Sequence, residues 1–105
     1  MHGLRVLLLG RPRLEFDGQP VAAHLPLKQQ ALLFFLAAAH TAGDGAVSRS
    51  ELATLLWEDL DAEAARGNLR VALTRLRRAL PELLETSAQQ VGFAAAATVS
   101  LDRAE

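Results

Sequence analysis

The spacing of apolar and polar residues changes along the chain, and the first part has the spacing of β-strands. Leu4–Leu9 is a nearly continuous apolar run that ends at a glycine, which predicts a buried strand. Residues 13–16 (RLEF) alternate, and the Asp17-Gly18 pair that follows is a strong hairpin signal. Pro20–Ala22 is the expected return strand. The first 23 residues (1–23) therefore predict a small antiparallel β-sheet.

Apolar residues then recur with the 3.6-residue period of helices. Pro26 suits the first turn of a first helix, because its missing N–H has no acceptor there in any case. The glycine-rich stretch 43–45 marks the end of this helix. Ser48 and Glu51 have the spacing of a capping box and predict a second, short helix that ends near Trp57.

A third helix is predicted up to about Leu80, since Pro81 disfavours helical geometry in the residue before it. Its N-cap is either Asp59 or Asp61, and Glu63 would lie in the favourable first turn. The three helices form a core over residues 26–80, in which residues 48–80 have the arrangement of a helix-turn-helix.

After Pro81 the pattern is weaker. "PELLETS" (81–87) predicts a short turn. Gly92 separates two stretches, and "TVSLD" (98–102) alternates, so residues 88–102 are expected to form a closing hairpin, or wing. The order of elements predicts an α+β fold: an antiparallel β-sheet, three α-helices and a C-terminal β-hairpin.

Length and composition limit the number of domains, the kinds of site and the cellular location that we expect. The chain has 105 residues, half of them hydrophobic, a formal net charge of -1 and no cysteine, which predicts a single domain (1–105) without disulfides or thiolate metal sites. No apolar run approaches the roughly 18 residues of a membrane span, and the N-terminus does not have the pattern of a signal peptide. We therefore expect a cytoplasmic protein.

Charge is unevenly distributed despite the small net value. Residues 58–63 contain four acidic side chains, and residues 66–78 contain five arginines. On a helical wheel, leucines and alanines of the third helix share one face, and the arginines flank the opposite one. A solvated surface helix is the ordinary explanation of a charge run. However, Arg70, Arg75 and Arg77 have no acid three or four residues away, which an anionic partner would explain.

Nucleic acid is the partner that this face fits. Val71 on the polar face is suited to contact a thymine methyl group, and Arg75 can bond guanine through two hydrogen bonds. Thr74 and the remaining arginines are candidates for phosphate contacts. The complete predicted DNA-binding set is Arg49, Arg66, Asn68, Arg70, Val71, Thr74, Arg75, Arg77 and Arg78.

Several motifs together resemble a known family. "LRVLLLGRPRLEFDGQPV" and "SRSELATLLWEDLDAEAARGNLRVALTRLRRAL" resemble the N-terminal domain of SARP-type (antibiotic regulatory protein) activators of bacteria, and the resemblance covers almost the whole chain. It implies a winged helix-turn-helix domain of the OmpR/PhoB type, with the third helix in the major groove of double-stranded DNA and the wing at the minor groove. The resemblance thus implies a sequence-specific transcription factor, and in the context of the family an activator.

The resemblance also implies roles for single residues. Arg49 matches a phosphate-contacting position, Val71 and Arg75 match base-facing positions, and Thr74, Arg77 and Arg78 match backbone-facing ones. Trp57 matches a position near the DNA backbone, and a core tryptophan is the alternative. The sequence departs from the family in the wing, where Gly92-Phe93 precedes four alanines instead of polar or basic residues.

Partners and alternatives follow from the same features. In relatives the acidic segment 58–63 can face RNA polymerase, whereas helix capping is its simpler role. A homodimer on direct repeats is left open. The competing function is a protein-interaction module whose basic face binds an acidic protein or a second copy.

An enzyme is not expected, because His2, His24 and His40 lack metal-ligand spacing and no phosphate loop is present. No cofactor, metal or small-molecule substrate is expected.

Overall fold

A computed structural model describes residues 3–7, 13–21 and 25–102 of the chain. The elements in chain order are β1 (Gly3–Leu7), β2 (Arg13–Phe16), β3 (Gln19–Pro20), α1 (Leu27–Thr41), β4 (Val47–Ser48), α2 (Arg49–Leu56), α3 (Ala62–Ala79), β5 (Leu84–Thr86), β6 (Gln90–Phe93) and β7 (Thr98–Asp102). Three helices and two sheets give an α+β fold, as the sequence pattern predicts.

The N-terminal hairpin forms where its turn residues predict it. β1 pairs with β2 and β2 with β3, both antiparallel. Asp17 (φ 52°) and Gly18 (φ 82°) both have positive φ, the conformation that a two-residue turn needs. The turn is tied back to β1, because the Gly3 amide donates to Asp17 Oδ1 at 2.7 Å. Leu8, Leu9 and Ala22, which were also expected in strands, lie outside the described residues.

The C-terminal strand corrects one expectation. β6 and β7 do not form the hairpin predicted over residues 88–102, because they belong to different sheets. β7 instead joins the first sheet parallel to β1, with Gly3 opposite Thr98 and Leu7 opposite Asp102, and the strand order is β3-β2-β1-β7. Val99 and Leu101 pack on the core from β7. The alternation of this segment predicted a strand correctly but gave no information about its partner.

A second correction concerns residues 81–87. Leu84–Thr86 is a strand, β5, where only a turn was expected. β5 and β6 form an antiparallel hairpin (the β5–β6 hairpin, residues 84–93), and β4 pairs with β6 to give a three-stranded sheet of order β4-β6-β5. Leu84 is buried in this strand and anchors it to the core.

α2 and α3 begin at predicted caps, whereas α1 begins at Leu27 and has Pro26, expected in its first turn, as the N-cap. Ser48 Oγ accepts a hydrogen bond from the Glu51 amide at 3.0 Å at the start of α2. Of the two candidate caps for α3, Asp61 is the one used: its Oδ1 accepts from the Ala64 amide at 2.8 Å. α3 ends at Ala79, next to Leu80 and Pro81, in agreement with the helix-breaking effect of proline.

One hydrophobic core joins the two sheets and the three helices. Its fully buried side chains include Leu4 and Leu14 from the first sheet, Leu32 and Leu36 from α1, Leu52 from α2, Leu69 and Leu76 from α3, and Leu83 and Val91 near the second sheet. α2 and α3 pack closely against each other through this core. Among the described residues, no helix has the length and apolar character needed to cross a membrane.

Candidate nucleic-acid interface

The orientation of α3 is fixed by its leucines. Leu69, Leu73 and Leu76 are each no more than 2% exposed, and Ala65 and Ala72 are buried beside them. Because these residues recur at helical spacing, they hold one face of α3 against the core and turn the other face outward. The orientation of α3 therefore determines which of its side chains are accessible to a binding partner.

The outward face carries the arginines expected there. The exposed members are Arg66, Asn68, Arg70, Val71, Thr74, Arg75, Arg77 and Arg78. In the part of the chain that the structure describes, the five guanidinium groups of this helix make no hydrogen bond or ion pair with other residues. Like charges at i,i+3 and i,i+4 repel each other, so this face has positive charge that the fold does not compensate.

Val71 and Thr74, two of the uncharged residues on this face, differ in the contacts that they can make with a partner. Val71 is 49% exposed, so that its apolar side chain is accessible to a partner. The Thr74 hydroxyl donates to the Arg70 carbonyl oxygen at 3.0 Å. Its hydrogen is therefore already used, and Thr74 can contact a partner through its methyl group or as an acceptor.

One cleft is lined by Arg49, Arg66 and Arg70, and we call it the basic cleft. It has a volume of about 550 Å³. Its wall is formed by the first residues of α2, the first half of α3 and the turn of the β5–β6 hairpin: Ser48, Arg49, Ser50, Arg66, Leu69, Arg70, Ala88 and Gln89. Ala88 and Gln89 were not expected at the site. They join it only because the second sheet brings residues 87–89 next to α2.

Arg49 connects two walls of the basic cleft. Its Nε donates to the Ser87 carbonyl oxygen at 2.7 Å, and its amide donates to the Gln89 carbonyl oxygen at 2.8 Å. The first amides of a helix have no acceptor within the helix, and the sequence alone therefore predicts free amides at Arg49 and Ser50, which could bind a phosphate. This is wrong for Arg49, since the hairpin turn takes its amide. The remaining guanidinium N–H groups of Arg49 keep their capacity to donate.

The turn of the β5–β6 hairpin is itself well ordered by hydrogen bonds. Ser87 Oγ accepts from the Gln90 amide at 3.0 Å, and the Ser87 amide donates to the Gln90 carbonyl oxygen at 2.9 Å. The hairpin contains no lysine or arginine, and Glu85 lies within it. It therefore adds shape to the basic cleft but no positive charge.

A second cleft, of about 430 Å³, lies at the other end of α3. It is lined by Thr74, Arg77, Arg78, Pro81, Glu82 and Leu84. The predicted residues thus divide by position: Arg49, Arg66 and Arg70 meet in the basic cleft, and Thr74, Arg77 and Arg78 meet at the C-terminal end of the helix. Val71 lies on the face between them, and Asn68 and Arg75 are on the opposite flank of the helix from Arg66, Arg70 and Arg77.

Trp57 belongs to a different contact. It is half-buried and packs against the core, and Lys28 Nζ lies 5.7 Å from the centre of its ring. Lys28 Nζ also donates to the carbonyl oxygen of Leu56, the last residue of α2. A cation at a helix C-terminus is favourable. The structure therefore gives Trp57 a packing role between α1 and α2.

The described residues contain no group of three or more His, Cys, Asp or Glu side chains placed to hold a metal ion. His40 makes an edge-to-face contact with Phe93, with ring centres 5.4 Å apart. His2 and His24 lie outside the described residues. In comparisons with known proteins, no family model, no curated protein and no solved structure matches the chain.

Proposed function

We propose that the protein binds double-stranded DNA in a sequence-specific manner through α3, and that it regulates, as an activator, bacterial transcription. In this proposal the domain is a winged helix-turn-helix of the SARP type, in which α2 and α3 form the helix-turn-helix and the β5–β6 hairpin is the wing. One support for this proposal is the resemblance of the sequence motifs to that family. The other support is the exposed positive charge on the surface of α3.

The observation that carries the proposal is the uncompensated positive charge of α3. Five exposed arginines occupy one helix, without ion pairs among the described residues, in a chain whose net charge is -1. A solvated helix normally alternates its charges, and like charges at i,i+4 cost a few tenths of a kcal/mol. A phosphate backbone reverses this cost, because each guanidinium then meets a negative charge.

The division of the arginines into two groups also fits a duplex. Arg66 and Arg70 lie near the start of α3, and Arg77 and Arg78 near its end. A helix in the major groove has a phosphate strand on either side. The arginines of both groups would contact phosphates, while Val71 and Arg75, which lie between them in sequence, would face base edges.

The β5–β6 hairpin supports a smaller role for the wing than the family resemblance implies. It has no basic side chain, so attraction to the phosphates along the minor groove is not supplied by it. Its turn is instead bonded to Arg49. In our proposal the β5–β6 hairpin supports the start of α2 and forms one wall of the basic cleft.

The test is a selection of bound sequences from a pool of random duplexes, followed by titration of the best duplex against random competitor DNA. We expect the selected site to bind at least about a thousandfold more tightly than the competitor. About five phosphate contacts predict a loss of several hundredfold in affinity between about 50 and 200 mM salt.

The competing function is a module whose basic face binds an acidic protein or a second copy. It predicts that the selection yields no enriched sequence and that the protein self-associates or binds acidic polypeptides in the absence of DNA. Equal binding of all duplexes would contradict sequence-specific recognition, even if that binding is strongly salt-dependent.

A further inference from the structure

Gly67 is a glycine in the interior of α3, and the fold does not require it. Glycine in a helix interior costs about 1 kcal/mol relative to alanine, because the unfolded chain loses more freedom. Gly67 lies in the second turn of an 18-residue helix and on the side opposite the buried leucines. A helix under no other constraint would gain stability from almost any other residue here.

The neighbourhood of Gly67 has room for a side chain. A methyl group built on its Cα lies 4.0 Å from Arg70 Nη2, an ordinary van der Waals distance, and meets nothing closer outside its own stretch of helix. Its φ angle is not positive. Neither steric crowding nor backbone conformation therefore explains the glycine.

The other described glycines have structural reasons. Three have positive φ angles, and at the other two a Cβ atom would come within 3.3 Å of a neighbouring residue; these are Gly18, Gly43 and Gly45, and Gly3 and Gly92, respectively. Gly67 is the exception within the described part of the chain. Its missing side chain is a feature of the surface, not of the folding of the helix.

The surface around Gly67 indicates what uses this space. Arg66 and Arg70 stand beside it and line the basic cleft, and the Arg70 guanidinium reaches back over it. Val71, four residues later, continues the same outward face. Arg70 Nη2 lies 4.0 Å from the position of a Cβ atom built on Gly67. An anion that Arg70 binds on this side would therefore meet the bare backbone of the helix, where a larger side chain would intrude.

We infer that Gly67 is the point of closest approach between α3 and the DNA backbone: a phosphodiester group held by Arg70 packs against the bare backbone of the helix at this position. The inference rests on the proposed function and adds a steric requirement to it. Glycine in this role sets the depth and angle at which α3 enters the groove.

The experiment compares Gly67→Ala and Gly67→Leu with the parent in two measurements, thermal unfolding and affinity for the duplex selected with the parent. Removal of the glycine should raise Tm by about 4–8 °C in Gly67→Ala. It should also weaken binding by at least about tenfold in Gly67→Ala and further in Gly67→Leu. A variant that is more stable but binds less tightly cannot owe its defect to poor folding.

Ala38→Gly is the matched control. Ala38 is exposed in the interior of α1, so the substitution should lower Tm by a similar amount while it leaves DNA affinity within about twofold. This separates helix stability from the contact at Gly67.

The other outcomes are decisive as well. If Gly67→Ala raises Tm and binds the selected duplex as tightly as the parent, the inference is wrong, and the proposed function stands. If Gly67→Ala lowers Tm, the fold requires the glycine, and the premise fails. If the parent itself enriches no sequence and binds no duplex in a salt-dependent manner, the proposed function fails first, and the inference fails with it.

Discussion

Arg49 Nε donates a hydrogen bond to the Ser87 carbonyl oxygen at 2.7 Å, across 38 positions of sequence. With the bond from the Arg49 amide to the Gln89 carbonyl oxygen, it fastens the start of α2 to the turn of the β5–β6 hairpin. Arg49 thus has two functions in our proposal: it positions the hairpin and supplies positive charge to the basic cleft.

Arg49→Ala is expected to loosen the hairpin turn and to weaken DNA binding. The lost hydrogen bond corresponds to about 0.5–1 kcal/mol of folding free energy at this exposed position, and one phosphate contact is lost in addition. Amide hydrogen exchange at Gln89 and Gln90 should become faster in the native protein. Arg66→Ala, which removes the same charge from the same cleft, should weaken DNA binding and leave exchange in the turn unchanged. Unaltered exchange in Arg49→Ala would refute the positioning role.

Arg75→Ala should reduce sequence discrimination. Arg75 is exposed beside the outward face of α3, and a guanidinium bonded to guanine through two hydrogen bonds contributes about 1–3 kcal/mol of discrimination. A repeated selection with the variant should therefore lose the preference at one position of the site and retain the others. A binding site identical to that of the parent would show that Arg75 does not contact a base.

Arg77→Ala removes the same charge from the same helix but should have a different effect. If Arg77 contacts a phosphate, affinity falls by a similar factor for all duplexes, and the slope of log affinity against log salt decreases by about 1. The selected sequence should stay the same. Comparison with Arg75→Ala tests which flank of α3 faces the bases and which faces the phosphates. Loss of sequence discrimination in Arg77→Ala would mean that α3 is rotated about its axis so that the flank of Arg77 faces the bases.

Ser48→Ala should lower stability through the start of α2. Ser48 Oγ accepts the Glu51 amide, and loss of such a cap costs about 1 kcal/mol. Denaturant unfolding should show this decrease in the free energy of unfolding as a lower midpoint at an unchanged m-value. Ser50→Ala is the control, since the Ser50 hydroxyl makes no hydrogen bond within the described residues. Equal stability of the two variants would show that the cap contributes nothing measurable.

The exposed leucines offer a test of whether copies of the protein associate through a surface other than α3. Leu27, Leu55 and Leu60 are 80%, 50% and 40% exposed, and exposed apolar side chains outside the arginine face are candidates for protein contacts. Replacement of all three by serine should leave the DNA affinity of the isolated protein within about twofold, because none lies on α3. A large loss of DNA affinity would instead indicate that association of copies drives binding.

Local signals predicted most of the fold. The caps at Ser48 and Asp61 and the turn at Asp17-Gly18 depend on residues within a few positions, so that the sequence contains the whole interaction. The outward face of α3 was also predictable, because helical periodicity separates its leucines from its arginines.

Long-range pairings were not predictable in the same way. Gly92 appeared to separate the two strands of a hairpin, but it lies within β6, where a Cβ atom would come 3.3 Å from Ala46. The strand partner of residues 98–102 and the bond between Arg49 and Ser87 depend on segments far apart in sequence. Periodicity gives the faces of an element but not its neighbours, and this is why the basic cleft was recognised only in part.

The parallel pairing of β1 with β7 has a consequence for how the molecule acquires its structure. The contact between Gly3 and Thr98 joins segments that lie far apart in the sequence, and such contacts have a high entropic cost of loop closure. On the ribosome, β1 leaves the exit tunnel long before its partner exists. The first sheet can therefore be completed only after residues 98–102 have been synthesised, and until then an edge of β1 is open to pairing with other chains.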